Sequence, residues 1–369
     1  MKNSQDTIPK FATHPGTILL DEIEASEYSQ SDFANLIGYK KSQLNEIIKG
    51  KRNINAEFAI LLEKTLNIDA DFWLEAQKNY DLDKARIEAK SKERLGAIEI
   101  WNLIKSLIPV SFFKKEQIIT GDPCIDIDII KTIYNVNNLD ELATIRVQNT
   151  YERFKKSTKL KTDVVNIMGW VKLVQFKAKT ITVVPFNHEN KDTLIKELRK
   201  IILENKDVLN RVQEVLHDNG IKLIYQSKGE KTPVDGVCFW SDGNPAIGMT
   251  LRHKRLDNFA FTLFHELGHI YKHLINNDKA EFIDLEIKNE EEEYKNSNEE
   301  KEANLFSQNS LINSEDWNKF SANIAYNNND ETIRAFARKV KIHPSIVRGR
   351  VCFTLNNFRT FTDINHNIN

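Results

Sequence analysis

The amino-acid sequence predicts an α+β protein that is mostly helical, and three observations support this fold class. Five short helical patterns follow one another between His14 and Tyr80. A Lys/Glu-rich helical stretch and further amphipathic helices continue to about residue 180. Three β-branched or aromatic-rich segments then precede a strongly apolar helix. We therefore predict an all-α domain over residues 1–80, a helical linker region over 81–180, and an α+β domain with a small antiparallel sheet and a C-terminal helical cover over 181–369.

The composition fits a protein with real hydrophobic cores, because 40% of the 369 residues are hydrophobic. The formal net charge of −1 argues against a protein that coats nucleic acid, although a local basic patch stays possible. We find neither a signal-peptide pattern nor a long apolar run, so we expect a cytoplasmic protein without a membrane partner. Cys124, Cys238 and Cys352 are far apart, which argues against a disulfide framework and against a cysteine-based metal cluster. Any bound metal must then use His and carboxylate ligands.

Ser29–Gly38 and Tyr39–Gly50 together have the residue pattern of a helix-turn-helix. Gly38 suits the turn, while Leu44 and Ile47 are spaced to face a core. In such a motif the second helix enters the major groove of DNA. We therefore predict that the second helix reads the DNA sequence.

Polar side chains on and around this second helix are the candidate DNA contacts. Those near its N-terminal end can reach base edges, whereas the others are better placed for phosphates. The base-reading candidates are Lys41, Ser42, Gln43 and Asn45, and the phosphate candidates are Gln30, Lys49, Lys51 and Arg52. Between Lys40 and Arg52 the basic residues far outnumber the single acid, Glu46, as DNA binding requires. The acid-rich remainder of the segment leaves a solvated surface or a protein contact open as the alternative.

Several motifs of this segment resemble the HigA type of Xre-family helix-turn-helix proteins. They are His14-Pro15-Gly16-Thr17-Ile18-Leu19-Leu20, Ser29-Gln30, Gly50-Lys51-Arg52-Asn53-Ile54 and Asp71-Phe72-Trp73-Leu74-Glu75-Ala76-Gln77. The resemblance implies a homodimer formed through the N-terminal domain, binding to double-stranded operator DNA, and a role as an antitoxin or autoregulator.

The apolar helix predicted at Phe259–His273 contains a His-Glu-x-x-His motif. Residues four apart share one helix face, so His265 and His269 can offer two imidazoles to one metal ion, with Glu266 beside them. The alternative is a buried core helix with two incidental histidines. Burying unpaired polar side chains costs several kcal/mol, and a metal would supply their partner. We therefore predict a zinc site.

The third metal ligand must come from another segment. His273 lies one further turn along the same helix, too far up the axis to complete a tetrahedral site, so we interpret it as a non-ligand. Glu300 falls on the inward face of the next predicted helix, which Ala303 helps to define. We predict Glu300 as the ligand, with Glu302 as its substitute. Asn304 lies on the same stripe and could hold a liganding imidazole through the free ring N–H.

Residues 220–312 resemble the ImmA/IrrE family of zinc metallo-endopeptidases. The resemblance rests on Pro245-Ala246-Ile247, Leu251-Arg252, Phe264-His265-Glu266-Leu267-Gly268-His269 and Glu300-Lys301-Glu302-Ala303-Asn304-Leu305-Phe306-Ser307. It implies a zincin-like fold, a bound Zn2+, and Glu300 as the third ligand. It also implies that Thr332–Val351 forms the helical cover, although the pattern of this stretch alone also fits a second DNA reader.

The combined prediction is a DNA-binding regulator, similar to an antitoxin, that carries a zinc-dependent endopeptidase. Water would attack the scissile carbonyl at a zinc held by His265, His269 and Glu300, and Glu266 would move the proton to the leaving amine. The substrate would be a specific protein partner, a repressor or a toxin. The alternative is a non-proteolytic antitoxin or transcription factor whose metal domain senses a signal or binds a partner.

Three further expectations concern the surroundings of this site. We expect the strand edge near Ala246–Leu251 to hold a peptide by β-addition. We expect the polar tail after Arg359 to be frayed. The candidates for the group that stabilises the oxyanion are Arg252, Tyr271 and His273.

Overall fold

The computed structural model describes residues 9–145, 163–230, 232–251, 254–285, 297–324, 328–359 and 361–369. Helices dominate these ranges, and one small sheet lies in the C-terminal half, which confirms the predicted fold class. The chain forms two compact units, residues 1–101 and 102–369. The predicted boundaries at residues 80 and 180 stay predictions. Within the described ranges, no helix combines the length and the apolar character needed to cross a bilayer.

The first unit is helical. Its helices are α1 (Gly16–Ala25), α2 (Gln30–Leu36), α3 (Lys41–Ile48), α4 (Ala56–Leu66) and α5 (Ala70–Ile104), the last of which continues beyond residue 101. The predicted helix-turn-helix corresponds to α2 and α3. Gly38 has a φ of +74° in the turn between them, a conformation that glycine adopts without steric strain. Leu44 and Ile47 are buried with Phe33 and Trp73, so the apolar faces of the short helices form one core.

The start of α1 is fixed by His14. Its Nδ1 accepts a hydrogen bond from the Gly16 N–H at 2.9 Å, and its ring meets the Tyr80 ring edge-on at a centroid distance of 4.7 Å. A Cβ on Gly16 would lie 2.1 Å from the carbonyl oxygen of Ile47. The His14-Pro15-Gly16 motif therefore has a local structural cause, since only glycine fits this close approach of α1 to α3.

The second unit combines helices with a four-stranded sheet. Its described helices are α6 (Val110–Lys115), α7 (Pro123–Tyr134), α8 (Glu141–Ile145), α9 (Asp163–Lys179), α10 (Lys191–Glu204), α11 (Val208–Asp218), α12 (Leu256–Lys272), α13 (Asn298–Leu311), α14 (Ser314–Ser321), α15 (Asp330–Val340) and α16 (Pro344–Thr354). Short 3-10 turns lie at His188–Asn190 and Leu274–Asn276. The strands are β1 (Lys222–Tyr225), β2 (Val234–Ser241), β3 (Asn244–Met249) and β4 (Glu281–Leu285), in the order β1-β3-β2-β4.

The sheet is mixed, so the predicted antiparallel sheet is wrong for β1, which pairs parallel with β3. The pairing of β2 with β3 is antiparallel as predicted, and the pairing of β2 with β4 is antiparallel as well. Asp242 and Gly243, with φ of +51° and +82°, form the tight turn that joins β2 and β3 into a hairpin. In this strand order β2 lies between β3 and β4, and β1 pairs with the outer edge of β3. The β-branched and aromatic segments Ile221–Tyr225, Val234–Trp240 and Ala246–Leu251 predict β1, β2 and β3, whereas no sequence pattern predicted β4.

The two faces of the sheet carry different helices. On one face, a Cβ on Gly248 would lie 2.5 Å from a methyl carbon of Val174 in α9. On the other face, Gly236 lies against Glu266 of α12. Trp170 and Val171 of α9 are fully buried, so this helix, which we placed in the predicted linker region, packs in the core of the second unit.

The C-terminal helices cover α12, as the ImmA/IrrE resemblance implies. Ile333 of α15 and Val347 of α16 are buried in the same core as Leu263 of α12. The expected fraying of the tail is wrong, because Ile364 is buried and the tail backbone is hydrogen-bonded. His366 O accepts from the Leu256 N–H at 2.7 Å, which fixes the tail to the start of α12.

Candidate metal centre

The site is built where α12 and α13 pack closely. A Cβ on Gly268 would lie only 2.9 Å from the Cα of Ala303, so the absence of a side chain at Gly268 lets the two helices approach. This approach brings Glu300, in the first turn of α13, to the histidines of α12. The N-cap of α13 is Ser297, whose Oγ accepts from the Glu300 N–H at 3.2 Å and fixes the start of the helix.

His265, His269 and Glu300 converge on one point. The two histidine Nε2 atoms lie 3.0 Å apart, and the Glu300 carboxylate oxygens lie 3.3 Å from His265 Nε2 and 3.4 Å from His269 Nε2. All three side chains are buried, and their ligand atoms lie within 4.8 Å of one another. Two imidazoles and one carboxylate in this arrangement are a donor set that suits zinc and leave room for a fourth ligand. The geometry thus fits a divalent metal ion.

A second layer of side chains orients the histidines. Asn304 Oδ1 lies 3.0 Å from His265 Nδ1, so the Nδ1–H can donate and Nε2 is left to face the metal position. His269 Nδ1 lies 3.1 Å from His273 Nδ1, and His273 Nε2 lies 3.1 Å from Glu302 Oε2. Neither His273 nor Glu302 belongs to the ligand group in the described part of the chain. Sequence reasoning anticipated Asn304 but missed the relay from His269 to Glu302, which the i,i+4 spacing of His269 and His273 could have indicated.

The Phe282 ring supports His269 from the sheet. It is stacked on the imidazole at a centroid distance of 4.4 Å and an interplanar angle of 14°. Phe282 lies in β4, the strand that the sequence analysis missed. The sequence therefore gave no signal for this contact.

Glu266 is placed beside the ligands but is not one of them. Its side chain is completely buried beside the Cys238 thiol, and within the described residues neither carboxylate oxygen has a hydrogen-bond partner of standard geometry. A Cβ on Gly236 of β2 would lie 2.1 Å from Glu266 Oε1, so the carboxylate occupies space that only glycine leaves free. Burial raises the pKa of Glu266 well above its usual range. A buried carboxylate without a partner needs a water or ligand at this position.

The protonation of the three ligands is coupled. Burial lowers the pKa of His265, but the hydrogen bond to Glu300 and nearby carboxylates outweigh burial and raise it to about 9. Burial lowers the pKa of His269 to about 4. The hydrogen bonds to both histidines outweigh burial at Glu300 and lower its pKa to about 2. Burial and the hydrogen bonds between the three groups thus shift their pKa values in different directions.

The other residues predicted around the site have different surroundings. Arg252 lies outside the described residues. The Tyr271 ring packs against Phe186 and Phe306, and His273 is engaged by His269 and Glu302. The prediction of β-addition near Ala246–Leu251 is wrong, because β3 lies between β1 and β2 and both of its edges are paired. Among the described strands, β4 is the edge next to the metal ligands.

The predicted DNA contacts lie on α3 and at the start of α2. Lys41 and Ser42 are exposed in the first turn of α3, Asn45 is half-buried, and Lys49 is exposed at its end. Gln30, half-buried, is the first residue of α2. Gln43 has a second role, since its Oε1 accepts from the Lys40 N–H at 3.1 Å and caps α3. The three-residue spacing from Lys40 to Gln43 was the available signal for this cap.

Comparisons with known proteins match the same two parts of the chain. A profile of the helix-turn-helix family matches residues 21–73, and a profile described as Peptidase_M78, IrrE N-terminal-like domain, matches residues 217–350. Virulence-associated protein A' of Dichelobacter nodosus is 32% identical over 87 residues, which cover 23% of this chain and 76% of that protein. The uncharacterized HTH-type transcriptional regulator YbaQ of Escherichia coli K12 is 32% identical over 88 residues, which cover 24% of this chain and 78% of that protein.

Solved structures match the N-terminal part as well. One is the antitoxin HigA of Pseudomonas aeruginosa with the higBA promoter, which is 29% identical over 22% of this chain and 89% of that chain, with a TM-score of 0.21. The chain belongs to the helix-turn-helix family in its N-terminal part, and its C-terminal part carries a domain that matches the Peptidase_M78, IrrE N-terminal-like profile.

Proposed function

We propose that this protein is a zinc-dependent endopeptidase joined to a DNA-binding regulator, and that it cleaves a specific protein partner such as a repressor or a toxin. One observation carries the proposal. Three metal-type donors, from His265, His269 and Glu300, meet within hydrogen-bond distance beside the buried and unpartnered carboxylate of Glu266. A structural zinc site needs no such free carboxylate, whereas a hydrolytic site does.

The residues that would hold the zinc are His265, His269 and Glu300. When bound, zinc supplies Lewis-acid chemistry, because it polarises a carbonyl and makes water more acidic. Asn304 and His273 keep the two imidazoles oriented through their Nδ1 atoms. The buried surroundings exclude bulk water from the ligand atoms and so strengthen each charge interaction there.

Glu266 would hold and move the proton during hydrolysis. Because the carboxylate lies beside the ligands, it would accept a proton from the attacking water and pass it to the leaving amine. Burial raises the pKa of Glu266 and so favours the protonated form that this step produces. Gly236 and the sheet behind it fix the carboxylate in place.

The first unit would bring the peptidase to DNA. Lys41, Ser42, Gln43 and Asn45 are the proposed base-reading residues, and Gln30 and Lys49 the proposed phosphate contacts. The name of the relative from Escherichia coli, an HTH-type transcriptional regulator, supports a role in gene control. We further propose a homodimer formed through this unit, which light scattering of the full chain would detect as twice the mass.

The test of the peptidase proposal is Glu266→Gln. The full chain loaded with zinc is mixed with the purified products of neighbouring genes, and cleavage is followed by mass spectrometry. We expect zinc-dependent cleavage of one partner that falls by about 10²–10⁴-fold in Glu266→Gln while the bound zinc, measured by atomic emission, is unchanged. If Glu266→Gln instead keeps the full regulatory activity of the protein, the metal domain acts as a non-proteolytic sensor or partner-binding module.

A further inference from the structure

A cavity lies beside the two helices that carry the metal ligands, about one helical turn away from the ligands. It has a volume of about 290 Å³ and lies between α12, α13 and α16. Its walls are mostly apolar and include Phe261, Gln308, Leu311, Ile346, Phe353 and Phe358. None of these residues has a role in the chemistry proposed above.

The cavity lies about one helical turn from the nearest metal ligand, His265. Phe261 precedes His265 by about one turn, or ~6 Å along the axis, and the two rings are stacked at a centroid distance of 6.3 Å. Gln308 follows Glu300 on α13 by about two turns, or ~12 Å. The Ser307 hydroxyl donates to the Phe261 carbonyl oxygen at 2.9 Å and holds the two helices together at this level. The cavity thus begins one helical turn from the ligands, within reach of a peptide bound there.

The outer wall of the cavity is aromatic and open to solvent. Phe353 in α16 is 68% exposed and Phe358 after it is 67% exposed, although large apolar side chains gain free energy from burial. Both residues lie beyond residues 217–350, the part matched by the IrrE N-terminal-like profile. The match to the family profile therefore does not include the residues of this aromatic wall.

Two charged side chains line the cavity, Asp257 and Arg350, and both are engaged. The Asp257 carboxylate accepts from the Arg255 guanidinium at 2.7 Å. The Arg350 guanidinium donates to the carbonyl oxygens of Gln308 and Ile312 at 3.2 and 3.1 Å. It also covers the Trp317 ring at 4.3 Å. These contacts fix α16, which carries Phe353, against α13.

We propose that this cavity binds one large apolar side chain, aromatic or branched aliphatic, of the polypeptide substrate beside the bond that is cleaved. The volume fits one such side chain with its flanking backbone. The inference rests on the proposed peptidase function, because it takes the metal ligands as the position of the cleaved bond. It adds the chemical class of residue that the enzyme selects.

The test uses peptide hydroxamates that differ in a single side chain: benzyl, isobutyl, methyl or carboxymethyl. Their affinity for the zinc-loaded full chain is measured by isothermal titration calorimetry, which does not depend on turnover. We expect the benzyl and isobutyl compounds to bind about ten- to a hundredfold more tightly than the methyl compound, as burial of an apolar side chain requires. The carboxymethyl compound should bind most weakly.

Two variants localise the preference to the cavity. Phe353→Asp should reduce the advantage of the benzyl side chain to about threefold or less, because a carboxylate would then line the wall. Phe358→Asp, on a different segment, repeats the test if the first variant unfolds on a thermal melt. The matched control is Leu203→Asp, an exposed leucine of α10 outside the cavity, which should keep the full preference.

The outcomes separate this inference from the function on which it rests. If no hydroxamate binds to zinc-loaded protein, the proposed peptidase centre is wrong and the inference is overturned with it. If all four compounds bind with equal affinity, or if Phe353→Asp and Phe358→Asp keep the benzyl preference, the cavity is not the side-chain site. The metal centre would stand in that case.

Discussion

The two units of this protein place their candidate functional side chains in opposite environments. In the first unit, Lys41, Ser42 and Lys49 are exposed on α3 or at its end. Solvent can therefore hydrogen-bond to their polar groups when no ligand is present. In the second unit, His265, Glu266 and His269 are between 0 and 2% exposed. Polar groups without water must find partners inside the protein or in a ligand. The buried site therefore reveals more about its ligand than the exposed one does.

This difference also changes what each substitution should do. Removing one member of a buried group leaves the others without their partner, and the loss is large. Removing an exposed charge leaves only solvent in its place, and the loss is small. Variants of the two units should therefore differ in the size of their effects.

The largest effect should follow the loss of Glu300. In Glu300→Ala, two imidazoles remain without the carboxylate, so zinc affinity should fall by more than about 100-fold, beyond the loss typical of an outer residue. A competition titration with a chromophoric chelator measures this affinity. Glu315→Ala removes an exposed glutamate of α14, away from the ligands, and should change the affinity by less than about threefold. Equal losses of zinc affinity in both variants would show that Glu300 is not a zinc ligand.

The second effect concerns the space that holds Glu266. Gly236→Ala places a methyl group 2.1 Å from Glu266 Oε1 in the present geometry, so the carboxylate must move. We expect cleavage of the partner to fall by about 100-fold while zinc stays bound, because the base is displaced rather than removed. Gly96→Ala is the matched control, since a Cβ there meets no atom within 4 Å. Full activity in Gly236→Ala would mean that the position of Glu266 does not matter.

The sequence predicted the features of the metal site that depend on helix geometry. The spacing of His265 and His269 places them on one face of a helix. The inward stripe of α13 likewise indicates Glu300 and Asn304 from helix periodicity alone. Gly268 and Ala303 lie in the same motifs, but their role appears only when the two helices are packed. Local periodicity determines which residues share a face, whereas packing determines which faces meet.

The sequence could not predict features that depend on pairing between distant segments. β4 follows α12, yet it pairs with β2 across a long separation and brings Phe282 onto His269. The parallel pairing of β1 with β3 depends on which edge of the hairpin is free, which no local pattern records. The tail was expected to fray because it is polar, but backbone hydrogen bonds near Leu256 and the burial of Ile364 fix it.

A smaller loss should follow removal of the group behind His265. Asn304→Ala deletes the acceptor that lies 3.0 Å from His265 Nδ1, so the ring loses its orientation but keeps its Nε2. We expect zinc affinity to fall by about 10- to 100-fold in the chelator competition. Asn309→Ala, an exposed asparagine of the same helix, should leave the affinity unchanged. An unaltered affinity in Asn304→Ala would contradict the proposed orientation.

The smallest effect should come from the exposed side of the comparison. Lys49→Ala removes one proposed phosphate contact from the first unit, so operator affinity should fall only a few-fold, roughly equally for all DNA sequences. The slope of log affinity against log salt should decrease by about 1, because one fewer counterion is released. Fluorescence anisotropy with a labelled fragment of the gene's own upstream region measures both quantities. Lys64→Ala, an exposed lysine of α4 beside Glu63, should change neither, and an equal effect of both variants would mean that Lys49 contributes only to the overall charge. A loss in Lys49→Ala as large as that in Glu300→Ala would overturn the contrast between exposed and buried sites.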